Sequence, residues 1–317
     1  MLVTARHRLS IFTIIQTMYT FFQNHRRDFL FGFLFLLGGG LFSWLSGQDA
    51  TWDLLNYHLY NPFALLTGRL STDIMPAGIH TYLNPLLDVP LYWMIQHFNS
   101  HPQLIAWLQG LWGGALGFVI YKICQLIFDQ DKTLSLLAGA IGITGSMNLS
   151  QIGLSYNEVP LAFFMCTSFY FLLLFLLKHP SQIRWAVASA FLAGMAGGLK
   201  YTAAPFVMGL TLAFFSNIRQ FQKPLRTCCW FAVGGLSGFL ITNGFFMLHL
   251  YQAYGNPLFP FFNSFFNSPY FDPVNFEEIR FYPRSIWQWL FYPFFWNRLY
   301  EPAVALCVFQ GRSINEF

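Results

Sequence analysis

Apolar residues run through the chain in long blocks broken by short polar joints, and the block lengths rather than any two-residue alternation carry the signal. A helix that crosses a bilayer needs about 20 mainly apolar residues, because the hydrocarbon layer is about 30 Å thick and each residue rises about 1.5 Å. Eight blocks meet or approach that length: 29–47, 103–125, 133–150, 159–178, 184–199, 202–217, 228–250 and 286–309. The run LLDVPLYWMIQHF within 83–98 is also apolar, but it holds an acid and a proline, so it reads as an interfacial helix. IFTIIQTMYTFF, inside 9–23, reads as a second helix lying along the surface. The pattern predicts an all-α, polytopic bundle of about eight transmembrane helices, with juxtamembrane helices in the loop between the first two.

Composition agrees with the pattern. Hydrophobic types make up 55% of the 317 residues, charged types 9%, and Phe alone accounts for 39 positions, whereas soluble domains carry roughly 25% charged residues. A soluble enzyme and a disordered chain are both excluded. The net charge of +4 is less informative than its placement. With the N-terminus inside, Arg6, Arg8, Arg26, Arg27, Lys122, Lys132, Lys178, Arg184, Arg219, Lys223 and Arg226 all fall in inner segments, as the positive-inside rule expects. Counting 83–98 as a ninth span would move Lys122, Lys132, Lys178 and Arg184 outside. The expected organisation is a single domain over 1–317, with a cytoplasmic or interfacial N-terminus at 1–28, a first outer loop at 48–102 and a second at 251–285. The location expected is a bacterial inner membrane. At the C-terminus, either a span ends or following sequence has been lost.

The basic residues form no run of the kind that binds nucleic acid. Cys124, Cys166, Cys228, Cys229 and Cys307 lack metal or redox spacing and are expected to serve as small buried hydrophobes. Paired glycines at 38–40, 113–114, 197–198 and 234–235 join no strand to a helix, so close helix packing explains them better than a phosphate cradle.

Acids gather on the outer side: Asp49, Asp53, Asp73, Asp88, Glu158, Asp272, Glu277 and Glu278. Acidic residues contribute little to orientation, so their position calls for another cause. If 50–66 is helical, Asp49 and Asp53 share a face and Asp53 meets Tyr57 one turn on. Lys200 sits at the rim of two spans, where an ammonium needs a phosphate, an ion pair with Glu158 or a path to the interface. Arg69, Arg280 and Arg284 are the other outer cations, each a contact for an anion or a partner in a loop salt bridge. His58 and His80, with Asp53, Asp73 and Asp88, offer ligand types for a divalent cation, though in no defined metal spacing.

These blocks resemble the integral-membrane glycosyltransferases of the GT-C superfamily, relatives of protein mannosyltransferases and lipid A aminoarabinose transferases. The first outer loop reads WDLLNYHLYNPFALLTG, placing the family's aspartate at Asp53, its tyrosine at Tyr57, and the later small residue and glycine at Ala64 and Gly68. LNPLLDVPLYW corresponds to the family's proline-containing helix through Pro85 and Leu86, with Asn84 standing where the family has lysine. YNEVPLAFF supplies Glu158, and AGMAGGLKYTAAP supplies Lys200. The resemblance implies sugar transfer from a polyprenyl-phosphate donor, among membrane lipids, to an acceptor at the non-cytoplasmic face. It implies Asp53 as general base, and Lys200, Arg280, Arg284 and Arg69 as candidates to hold the donor phosphate. Asp49, Asp73, Glu158, His58 and Tyr57 are candidates to orient an acceptor or cation. The rival expectations are a transporter or flippase for a lipid-linked sugar, and an inactive, truncated relative acting as a subunit.

Overall fold

The structure, a computed structural model, describes residues 26–274, 285–287 and 312–313. Its first helix, α1, spans Arg26–Ser46. A two-residue strand β1 (Gln48–Asp49) follows, then a π turn over Leu54–His58 and the short helices α2 (Tyr60–Leu66) and α3 (Val89–Phe98). Next come α4 (Pro102–Ile127), α5 (Lys132–Ile143), α6 (Ser146–Gln151) and α7 (Glu158–Leu173), the last continued by a π turn at Leu174–Lys178. The helices α8 (Ile183–Leu199), α9 (Ala204–Ser216), α10 (Pro224–Phe239) and α11 (Phe245–Tyr254) complete the bundle, α10 and α11 being joined by a third π turn at Leu240–Gly244. A single helical turn, α12 (Asn263–Phe266), and strand β2 (Arg312–Ser313) end the described elements, with β2 antiparallel to β1.

Four described helices are long and apolar enough to cross a membrane: Arg26–Ser46, Pro102–Ile127, Glu158–Lys178 and the continuous Pro224–Tyr254. Three shorter apolar helices, Lys132–Ile143, Ile183–Leu199 and Tyr201–Ser216, occupy the other places where spans were expected. The protein is thus an all-α, multi-pass membrane protein. The expected span 286–309 lies outside the described residues apart from 286–287, as does the surface helix within 9–23.

Two local differences from the sequence reading have physical causes. The expected span 133–150 is cut at Thr144–Gly145, where Asn148 Nδ2 donates to Ile143 O at 2.8 Å and closes the end of α5. The segment 83–98, as expected, contains only the ten-residue helix α3, about 15 Å long and too short to span. Asp49 is in strand β1 and not on a helix with Asp53, because the chain remains extended until Thr51.

Lipid tails are as apolar as leucine, so helices in a bilayer associate through close packing, which small residues permit. A Cβ placed on Gly39 would lie 2.5 Å from both Gly110 O and Gly114 N, which fixes the α1–α4 contact as backbone on backbone. The same closeness joins α8 to α10, where a Cβ on Gly194 would strike Gly235 O. The paired glycines therefore serve packing. Around them Leu172, Phe175, Phe214, Phe221 and Phe231 form the largest buried apolar cluster, with Phe214 stacked on Phe231 at 3.8 Å between ring centres. Cys124, Cys166 and Cys228 are partly buried and free, whereas Cys229 is exposed on the bundle surface, because its position on α10 faces away from α8; Cys307 lies outside the described residues.

The two loops at the Asp53 end of the bundle pack on each other. Tyr82, from a short 3₁₀ turn at Gly78–Tyr82, meets Phe259 edge-on at 4.7 Å and Tyr254 at 5.3 Å. Burial, then the neighbouring Tyr254, pushes the Tyr82 hydroxyl up to about 12. The aromatic stretch beyond α11 is ordered from within by Asn263, which is fully buried. Its amide donates to Ser268 O, Phe271 O and Asp272 O, and its oxygen accepts from Ser268 N.

Candidate active site at the loop end of the bundle

The first loop enters the site through its π turn. Leu59 N bonds back to Leu54 O, five residues away, and this wider turn carries Tyr57 and His58 into the protein while Asp53 remains half-buried at its start. Such turns are frequent at functional sites. The Tyr57 hydroxyl donates to Asp53 Oδ2 at 3.0 Å, so the expected one-turn contact is present. Among the described residues, Asp53 Oδ1 receives no hydrogen bond. Burial first, and then the adjacent Asp53, drives the Tyr57 phenol above its ordinary range, with Asp88 and Glu158 adding to the effect. Tyr57 therefore keeps its proton and acts as a donor. His80 stacks on the Tyr57 ring at 4.8 Å and meets Trp52 edge-on at 5.6 Å.

Behind Tyr57 lies a pairing that the sequence reading did not assemble. Asp88, 4% exposed, accepts from His58 Nδ1 at 2.8 Å and from Asn157 Nδ2 at 2.5 Å through the same oxygen, Oδ1. Asn157 takes a left-handed backbone conformation, φ 70°, immediately before α7, which turns the chain so that its amide meets the first loop. His58 is 2% exposed, and its other ring nitrogen, Nε2, is buried without a hydrogen-bond partner among the described residues. One legible signal pointed to Asp88: an acid inside an apolar run must find a partner.

Lys200 stands in extended backbone between α8 and the 3₁₀ turn Tyr201–Ala203. Its ammonium donates to Tyr156 O at 2.8 Å and pairs closely with Glu158 Oε1, the ion-pair alternative of the sequence reading. An ammonium has three donors, and two are engaged. Asn84 performs a different task from the lysine it replaces in the family pattern. Its amide donates to Gly198 O, Thr242 O and Asn243 Oδ1 at 2.9, 2.8 and 3.2 Å, which latches the first loop onto the end of α8 and the π turn between α10 and α11. Asn243, fully buried, donates in turn to the Tyr201 hydroxyl at 2.9 Å.

The remaining expected residues are engaged with other partners or lie outside the described residues. Both Asp49 oxygens accept backbone N–H groups, Oδ1 from Thr51 and Oδ2 from Ser155, so this side chain ties the exit of α1 to the segment before α7. Arg69 and Asp73 pair with each other in a two-bond fork at 2.7 Å, exposed and supported by the Tyr60 hydroxyl. The Arg69 guanidinium, followed by Tyr60, holds the Asp73 carboxyl below its usual range. Arg280 and Arg284 lie outside the described residues. Among the described residues, no three His, Cys, Asp or Glu side chains converge as metal ligands.

A groove of about 530 Å³ runs between α8, α9 and α10. It is lined mainly by apolar side chains, among them Ala193, Val207, Met208, Phe231, Leu236 and Phe239, and it reaches Tyr201 and Leu258 at the site end.

Residues 91–242 match the family model described as dolichyl-phosphate-mannose-protein mannosyltransferase. The matched segment contains Asn157, Glu158, Lys200 and Thr242, while Asp53, Tyr57, His58 and Asp88 precede it. The likeness supports a glycosyltransferase of GT-C type. No curated protein and no solved structure matches the chain.

Proposed function

We propose that the protein transfers a hexosyl or pentosyl group from a polyprenyl-phosphate donor to an acceptor at the non-cytoplasmic face of a bacterial inner membrane, in building or modifying an envelope glycan or lipid. The observation that carries this reading is the half-buried Asp53, held by Tyr57 at the same end of the bundle as the Lys200–Glu158 pair. The family likeness of 91–242 supports it. The donor's isoprenoid chain fits the apolar groove between α8, α9 and α10, whose site end adjoins Lys200.

In this mechanism the acceptor hydroxyl or amine approaches Asp53 Oδ1 and gives up its proton as it attacks the anomeric carbon. General-base help of this kind contributes roughly 10²–10⁴-fold. The bond from that carbon to the phosphate oxygen breaks, and polyprenyl phosphate leaves with the electron pair. The third donor of Lys200 meets the departing phosphate, placing positive charge where negative charge develops. A single displacement inverts the anomeric configuration. Phosphate is a good leaving group, so no second carboxylic acid is required to protonate it. His58, fixed by Asp88, positions the Tyr57 turn from within the protein.

The test is release of polyprenyl phosphate from a matched polyprenyl-phosphate sugar by the purified, reconstituted protein. Asp53→Asn should abolish release while leaving thermal unfolding unchanged; full turnover in that variant overturns the assignment of the base. Movement of labelled lipid between leaflets without cleavage would identify a transporter instead.

A further inference from the structure

A second polar cleft opens at the opposite end of the bundle, about 30 Å along α7 from Glu158 by helical rise. Its volume is about 350 Å³, and it lies between the end of α4 and the end of α7, with Lys122, Gln125, Gln130, Tyr170, Lys178 and His179 among its lining residues. Every one of those six side chains can donate a hydrogen bond, and no carboxylate of the described residues lines the cleft.

Of the nearby acids, Asp129 is exposed and does not line the cleft, and Asp28 and Asp131 are already engaged. Asp28, 9% exposed, accepts from Tyr121, Lys122 and Gln125 and pairs with Lys132 at 3.3 Å. Asp131 Oδ1 accepts Thr133 N and Leu134 N at the start of α5. Lys122 spends two donors, on Asp28 and Gln125, and keeps a third. Lys178 is exposed, and no carboxylate of the described residues pairs with it.

The backbone widens at this place. His179 N bonds to Leu174 O, five residues back, at 2.8 Å, so the last turn of α7 is a π turn that sets Lys178 and His179 at the cleft. Ile127 and Leu177, beside the lining residues, are 56% and 57% exposed. Apolar side chains next to a ring of donors match the boundary between acyl chains and headgroups.

We infer that this cleft binds the phosphate of an acidic phospholipid headgroup from the adjacent leaflet, with Lys178, His179 and Lys122 as the contacts and Gln130 and Tyr170 completing the donor set. Juxtamembrane basic residues attract anionic lipid, and a fixed set of donors adds selectivity for the phosphate group.

The test uses the full chain in vesicles and reads the midpoint of thermal unfolding. Phosphatidylglycerol vesicles should raise the midpoint above that in phosphatidylcholine, and inorganic phosphate added to phosphatidylcholine vesicles should not. The rise should fall by at least half in Lys178→Gln and return in Lys178→Arg. Lys178 is exposed, so neither change threatens folding. Equal midpoints in the two lipids, or an undiminished rise in Lys178→Gln, overturn the site. A rise with inorganic phosphate alone overturns its assignment to lipid.

Discussion

Two carboxylates, Asp28 and Asp53, each accept a tyrosine hydroxyl, yet their surroundings differ in kind. Asp28 is buried between α1 and α4, and its oxygens accept from Tyr121, Lys122 and Gln125, side chains held on one continuous helix. Asp53 is half-exposed, on a loop, with one oxygen bonded to Tyr57 and the other open among the described residues. A carboxylate whose lone pairs are filled by helix-borne donors holds structure. One that is oriented but incompletely filled is available to a substrate.

Substitutions can break this contrast. Asp53→Asn should lower sugar release by about 10³-fold with an unchanged unfolding midpoint; a shift in the midpoint without loss of release would make Asp53 resemble Asp28. Asp28→Ala should do the reverse, costing about 3–5 kcal/mol because the lysine partners lose their buried counter-charge, while turnover per folded molecule is preserved. Thermal unfolding and an activity assay corrected for folded fraction separate the two.

Tyr57→Phe should lower turnover by about tenfold, the equivalent of about 1.4 kcal/mol, since Asp53 loses the donor that orients it. The pH profile sharpens that result. Tyr57 has its phenol raised by burial and by Asp53, so the neutral, proton-bearing form persists beyond the ordinary tyrosine range. An alkaline fall in rate should therefore remain in Tyr57→Phe; its disappearance would show that Tyr57 itself titrates there. The smallest effect belongs to Arg69→Gln. The Arg69–Asp73 pair is solvent-exposed and such pairs contribute little, so both unfolding and sugar release should match the unaltered protein.

The legible parts of this molecule are those set within one turn or one block of sequence. Block length placed α1, α4, α7 and the continuous α10–α11 helix, and one-turn spacing placed Tyr57 on Asp53. Lys200 and Glu158 lie 42 residues apart, yet each stands at a rim of the apolar blocks, so their pairing was among the alternatives weighed. The Asp88–His58–Asn157 set was not assembled, because it joins positions 30 and 69 residues apart and depends on the left-handed turn at Asn157. Asn84 stands where the family pattern has lysine, and that gives no sign of its three bonds. Two of them end on backbone carbonyls, Gly198 O and Thr242 O, and one on the Asn243 side chain, and backbone acceptors carry no mark in a sequence. The break at Thr144–Gly145 was obscured by an apolar average that continues across it.

The Asn84 latch also has a schedule. Its acceptor Thr242 O lies 158 residues further along the chain, and a polypeptide emerges N-terminus first at roughly 5–20 residues per second. The first loop is therefore synthesised about 8–30 s before the carbonyl that fastens it exists. During that interval the loop can already be held through Asp49 to Ser155 and Asp88 to Asn157, but its Asn84 end is fully fastened only after the helix carrying Thr242 has entered the membrane, so the site is completed late in translation.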